Sequence, residues 1–210
     1  MDSSYPSPAE FFQRLCAAPD SNVDSLVDFF LFEGVPFALK DWEEYCRFRR
    51  ELSDRLSINA KSIVTVGSGR MGYSLSPKIK KQKLWKPFGD HSDFDVVVVD
   101  HRTFDSAWDE ILQSDDTVTR PPHRGELEQR WRNLYDGIID VNYLPDSISF
   151  VDRWQGAFAE VSAIEWHGQP RTTKGFLFRD WNHAQRHYRR SFKAIQRLVN
   201  KGQLPKPPEV

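Results

Sequence analysis

DFDVVVV, residues 93–99, is the stretch on which the reading of the fold turns. Four consecutive valines favour extended backbone, because branched side chains pack well on a pleated surface. A strand that is apolar at successive positions is covered on both faces, which predicts a central strand of an α/β (α+β) domain with a small mixed sheet flanked by helices. Outward from it, SIVTV (62–66) reads as a second strand and GIIDVNYL (137–144) as a third. Three- and four-residue apolar spacing predicts helices over 7–17, 22–31, 40–56, 103–114, 125–135, 148–163 and 180–200. Residues 67–92 read as a loop system, and GQPRTTKGFLF (168–178) as extended or irregular. The domain organisation expected is an N-terminal helical segment (1–58), a core (59–145), a C-terminal helical segment (146–202) and a loose tail (203–210).

Composition narrows the class. Of 210 residues, 39% are hydrophobic, enough for a packed interior without disulfide or metal staples. Cys16 and Cys46 form no Cys-x-x-Cys pair and read as buried thiols of a cytoplasmic protein. The polar start MDSSYPSPAE has no signal-peptide character, and no apolar run is long enough to span a membrane. The net charge of −1 hides a gradient: 61–86 carries seven basic side chains and no acid, and 171–201 carries nine against Asp180 alone. Two positive segments around an acidic pair suit a polyanionic substrate; solvated surface is the competing account.

Asp93 and Asp95 lie two apart on a strand, so their side chains leave one face with Cα atoms roughly 6–7 Å apart. Carboxylates this close repel, and a divalent cation between them relieves the repulsion. Magnesium suits them, since it takes oxygen ligands and keeps waters and substrate phosphates in its shell; manganese is its substitute. Asp140 interrupts the apolar run Ile138-Ile139-Asp140-Val141 in the same way. If its strand lies beside 93–99, Asp140 completes the metal set and helps deprotonate an attacking hydroxyl, with two cations about 3.5–4 Å apart. The bland alternative puts Asp93 in a turn and Asp95 and Asp140 on wet edges. Asp100 reads as a helix cap and Asp90 as turn chemistry.

Gly67 and Ser68 directly follow a strand, where a glycine admits a phosphate to the backbone and a hydroxyl adds a donor. GSGRMG is neither a Walker loop, having no terminal GKS or GKT, nor a dinucleotide fingerprint, because a basic loop follows it. Together, Gly67-Ser68, Asp93-Phe94-Asp95 and the lone Asp140 resemble the nucleotidyltransferase superfamily related to DNA polymerase β. The wider stretch GSGRMGYSLSPK…FGDHSDFDVVVV is similar to small bacterial nucleotidyltransferase-like proteins, some linked to antiviral defence or toxin–antitoxin systems. The resemblance covers roughly residues 60–145. It implies a polymerase-β-like core in which Gly67 and Ser68 grip the triphosphate, Asp93 and Asp95 bind two magnesium ions, and Asp140 serves the catalytic one. The 24 residues between Ser68 and Asp93 exceed the family's usual spacer.

Transfer of a nucleoside monophosphate from a nucleoside triphosphate to a hydroxyl, releasing pyrophosphate, is therefore expected. An RNA 3′ end is slightly favoured as acceptor, and a protein hydroxyl, as in an AMPylating antitoxin, is the alternative. A catalytically silent nucleotide- or RNA-binding protein is the rival from another class. Arg70 and Lys78 are candidates for phosphate contact, with a surface role as the competing account, and Lys80, Lys81, Lys83, Trp85 and Lys86 for the acceptor, with plain solubility and a hydrophobic anchor as the competing account. His183 and His187, four apart on a helix, have no third ligand for zinc. The remaining tryptophans read as packing, and no nucleophile elbow supports hydrolase chemistry.

Overall fold

The computed structural model describes residues 5–76, 84–115, 124–203 and 207. The helices are α1 (Pro8–Ala17), α2 (Val23–Val27), α3 (Trp42–Leu56), α4 (Gly67–Met71), α5 (His101–Asp115), α6 (Arg124–Tyr135), α7 (Ser149–Ser162) and α8 (Trp181–Asn200). The strands are β1 (Ile63–Val66), β2 (Phe94–Val99), β3 (Ile138–Ile139), β4 (Glu165–Trp166), β5 (Gln169–Pro170) and β6 (Thr173–Phe178). Four of them form a mixed sheet in the order β1-β2-β6-β3, and β4 and β5 pair separately. The α/β (α+β) class and the central place of 93–99 are as expected.

Alternation along β2 divides the core. Phe94, Val96 and Val98 pack with Phe48 and Leu52 of α3, Ile111 of α5 and Trp154 of α7. Val97 and Val99 pack on the other face with Phe11 of α1, Val27 of α2 and Phe192 and Ile195 of α8. Each large apolar side chain buried this way contributes about 1.5–3 kcal/mol. Caps fix where the helices start: Ser7, Asp41 and Asp180 accept from the Glu10, Glu44 and His183 amides. Asp100 accepts from Thr103 N at 2.8 Å, as its sequence position implies. Ile148 gives α7 no side-chain cap. Glu110 of α5 accepts instead from Phe150 N at 2.8 Å and Ser149 Oγ at 2.6 Å, tying the two helices together.

Four features differ from the sequence reading. The third strand is only two residues long, and Asp140 turns the chain into a 3-10 segment, Val141–Tyr143. Residues 173–178, read as extended or irregular and not counted among the three expected strands, form β6 in the middle of the sheet, parallel to β2. The sheet thus draws on a strand beyond 145, outside the expected core of 59–145. Its Gly175 makes room for α7: a Cβ there would stand 2.2 Å from Phe158 Cζ. Residues 67–71 are helical, and Tyr73 bridges Pro87, so the long connection starts and ends in ordered structure. Finally, Cys16 is exposed and Cys46 half-buried rather than both buried, because each falls on the wetter side of its helix. Among the described residues no helix is long and apolar enough to cross a membrane.

Candidate functional site

Asp95 lies in register between Val66 of β1 and Lys174 of β6. β1 ends at this level, and Gly67 takes φ +64° to turn the chain into α4. A Cβ on Gly67 would stand 2.8 Å from Asp95 Oδ2, so only glycine combines that backbone conformation with that approach. Ser68 is thereby brought to the carboxylate pair. Residues 72–76 and 85–88 form an adjoining wall, in which Ser74 N donates to Lys86 O and Trp85 N to Ser74 O, both at 2.9 Å. The result is a cleft of about 450 Å³ lined by Ser68, Ser74, Ser76, Lys86, His91, Asp93 and Asp95. Three hydroxyls and an ammonium facing two carboxylates can receive an anion that arrives with a cation.

The rim is held by β6 and the residues just before it. Arg171, 8% exposed, donates from its Nη1 to the Gly89 carbonyl at 2.8 Å and also reaches the Asp90 and Ser92 carbonyls. Its guanidinium lies 4.7 Å from the centre of the Phe88 ring. The loop that leads into Asp93 is therefore fixed by a residue 78 positions later (171 minus 93). Lys174 Nζ bonds Asp93 Oδ2. With the lysine side chain 60% and the aspartate 39% exposed, such a pair contributes about 0–1 kcal/mol. Over the same face, burial and then the Asp95 charge push the Tyr188 phenol up, which keeps it neutral.

Asp140 does not join the pair. Ile139 is level with Leu177, and Leu177 with Val98, so β6 stands between β3 and β2. Asp140 is thus roughly 10 Å across the sheet from Asp95 and roughly 7 Å along it. Its Oδ1 accepts from Asn142 N at 3.1 Å and Asn142 Nδ2 at 2.8 Å. Burial raises its carboxyl above the ordinary range, and the Asn142 hydrogen bonds offset this only in part. A capping role satisfies the side chain where it is.

The expected contacts separate in the same way. Arg70 turns away from the cleft: its Nη1 bonds the Val35 carbonyl, and burial lowers its pKa. Trp85 is 5% exposed and packs against Phe11, Phe12 and Tyr73, so it is core, not a stacking platform. Lys86 lines the cleft, while Lys78, Lys80, Lys81 and Lys83 lie outside the described residues. His183 Nδ1 is 2.8 Å from Asp180, and burial lowers His187, which packs against Phe178 and Tyr188. His91, Arg171 and Lys174 escaped the sequence reading. His91 in FGDHSD stands two residues before the pair, a signal that proximity alone could have raised. The other two depend on β6.

Among the described residues no group of three or more His, Cys, Asp and Glu side chains could hold a metal. The oxygens of Asp93 and Asp95 suit one magnesium ion that brings phosphate and water ligands with it, and not a protein-only cage. Compared with known protein families, curated proteins and solved structures, the chain matches none.

Proposed function

We propose that this cleft binds a nucleoside triphosphate with magnesium and transfers its nucleoside monophosphate to a hydroxyl, with pyrophosphate leaving. One observation carries the reading: Ser68 meets Asp93 and Asp95 in one cleft, at a glycine turn that abuts Asp95 too closely for any side chain. Asp93 and Asp95 would hold the cation, which when bound neutralises phosphate charge and aligns the reacting group. The Ser68, Ser74 and Ser76 hydroxyls donate to phosphate oxygens, and the Lys86 ammonium offsets charge on the leaving side. His91, on the cleft wall, accepts the proton of the incoming hydroxyl through an imidazole nitrogen. The basic segments 61–86 and 171–201 favour an RNA 3′ end as acceptor over a protein hydroxyl.

Binding without turnover is the second reading. In its favour, β6 sets Lys174 rather than an acid beside the pair, and Asp140 is engaged by Asn142. The test is incubation of the purified chain with magnesium, each α-labelled triphosphate, and an RNA oligonucleotide with a free 3′ hydroxyl. Transfer of label with release of pyrophosphate, abolished by Asp95→Asn, is the expected result. Equal transfer by wild type and variant removes the proposal, and saturable triphosphate binding with no pyrophosphate released selects the second reading.

A further inference from the structure

We infer that a second cavity, beside the C-terminal end of α4, binds a small carboxylate with an apolar body. Its volume is about 340 Å³, and Phe29, Phe30, Val35 and Met71 give it apolar walls. That combination of size and lining is typical of small-molecule sites, which add only a few polar groups to fix the ligand. Phe29 is 54% exposed, a large apolar side chain that the rest of the chain leaves uncovered. The cavity shares no lining residue with the Asp93–Asp95 cleft, so this site stands whether or not the cleft takes a triphosphate.

The cation in these walls is Arg70. Its Nη1 donates to the Val35 carbonyl, and its Nε is buried without an acceptor. Among the described residues no carboxylate stands within ion-pair distance of it, and the Glu33 charge acts on it only from farther away. A half-buried cation without a counter-ion is costly, and an anion that enters the cavity relieves that cost. Gly34, at φ +83°, leaves the guanidinium uncovered from its side, since a Cβ there would stand 3.2 Å from Arg70 Nη2. The frame is already set: Phe37 N donates to Arg70 O at 3.2 Å and Ala38 N to Gly69 O at 2.9 Å. A planar carboxylate matches the guanidinium fork, and the body attached to it covers the apolar walls. Glu33, exposed and also on the lining, separates two sources of such an acid. It attracts the ammonium of an amino acid and offers a plain acid nothing.

The test is calorimetric titration at neutral pH with hydrocinnamate, a phenyl ring on a short chain ending in a carboxylate, and with its uncharged amide. Wild type should bind the acid saturably and the amide about tenfold or more weakly, the scale of a hydrogen bond between charged groups. Arg70→Met, which keeps an apolar stem, should bind acid and amide alike. Phe29→Ala should weaken the acid by about threefold or more, because an apolar wall is gone. Phenylalanine, the same acid with an ammonium added, identifies the source. Tighter binding than hydrocinnamate, lost in Glu33→Gln, assigns an amino acid; weaker binding assigns a plain acid. No saturable binding of either acid to wild type, equal binding of an acid and its amide, or undiminished affinity in a folded Arg70→Met or Phe29→Ala chain overturns the inference. Should Arg70→Met fail to fold by circular dichroism, the acid and amide on wild type decide it together with Phe29→Ala.

Discussion

Asp95 and Asp140 are written alike in the sequence, each an acid inside a run of valine or isoleucine, and the fold treats them oppositely. Asp95 stays within a full-length strand, flanked by β1 and β6, with a glycine turn against its oxygen and a cleft before it. Asp140 ends a two-residue strand at the far edge of the sheet and caps the turn that follows. An acid interrupting an apolar run therefore marks a place where a strand meets polar surroundings. Whether those surroundings are a ligand site or a turn depends on what the neighbouring strand brings. Here the neighbour of Asp95 brings Arg171 and Lys174, while the neighbour of Asp140 brings only apolar Phe176 and Leu177.

The largest expected effect breaks or upholds that contrast directly. Asp95→Asn should lower magnesium-dependent pyrophosphate release by about a hundredfold or more, the scale of losing a charge that acts on the reacting group. Asp140→Asn should leave it within about twofold, since asparagine caps as well as aspartate does. If Asp140→Asn silences the chain as fully as Asp95→Asn, the two acids form one site after all.

Next comes the support of the Asp95 side. Arg171→Leu leaves the Gly89 carbonyl and its neighbours without their donor, which should cost about 1–3 kcal/mol in urea unfolding. Triphosphate affinity should fall with it, because the loop into Asp93 loosens; a stability loss with affinity intact would show that Arg171 serves the fold alone. Gly67→Ala should cost about 1–2 kcal/mol from the left-handed backbone alone. It should also displace Asp95, so unchanged triphosphate binding in a folded Gly67→Ala chain would argue against the cleft.

The smallest effect sharpens the other side. The hydrogen bond from Arg190 holds the Asp136 carboxyl below its ordinary range, so this pair stabilises the fold above about pH 3.9, and its contribution is lost as pH falls through the folded value. Arg190 is 56% exposed, so water screens the pair, and Arg190→Met should cost at most about 1 kcal/mol at pH 7 and nothing once Asp136 is protonated. Asp140, raised by burial, contributes with the opposite sign: its share is present at low pH and lost as pH rises. Thermal melts of Asp140→Asn should consequently match or slightly exceed wild type at pH 7. A large drop there would mean that the Asp140 charge supports the fold.

Much of the secondary structure was legible because its signals are local. Valine runs, three- and four-residue apolar spacing and cap residues such as Asp100 act within a few positions, and the strands at 63–66 and 94–99 and the helices from 8 to 200, the short α4 apart, fall close to where they were expected. TTKGFLF carries a weaker signal. Its glycine and lysine break the apolar run, and Gly175 is there to admit Phe158 of α7, a requirement that exists only once the helix is packed. Trp85 stayed open for the same reason: a tryptophan among lysines reads as a stacking residue or as a hydrophobic anchor until α1 covers it.

What the sequence determined by itself is that Asp95 interrupts a central strand, leaving the same face as Val97 and Val99, with Asp93 just ahead of it, because side-chain alternation in extended backbone is a property of the strand alone. Only the tertiary structure decided who stands next to them. Strand order is set by which distant apolar surfaces pack together. Placing β6 between β2 and β3 brought a lysine to the carboxylate pair and left Asp140 across the sheet.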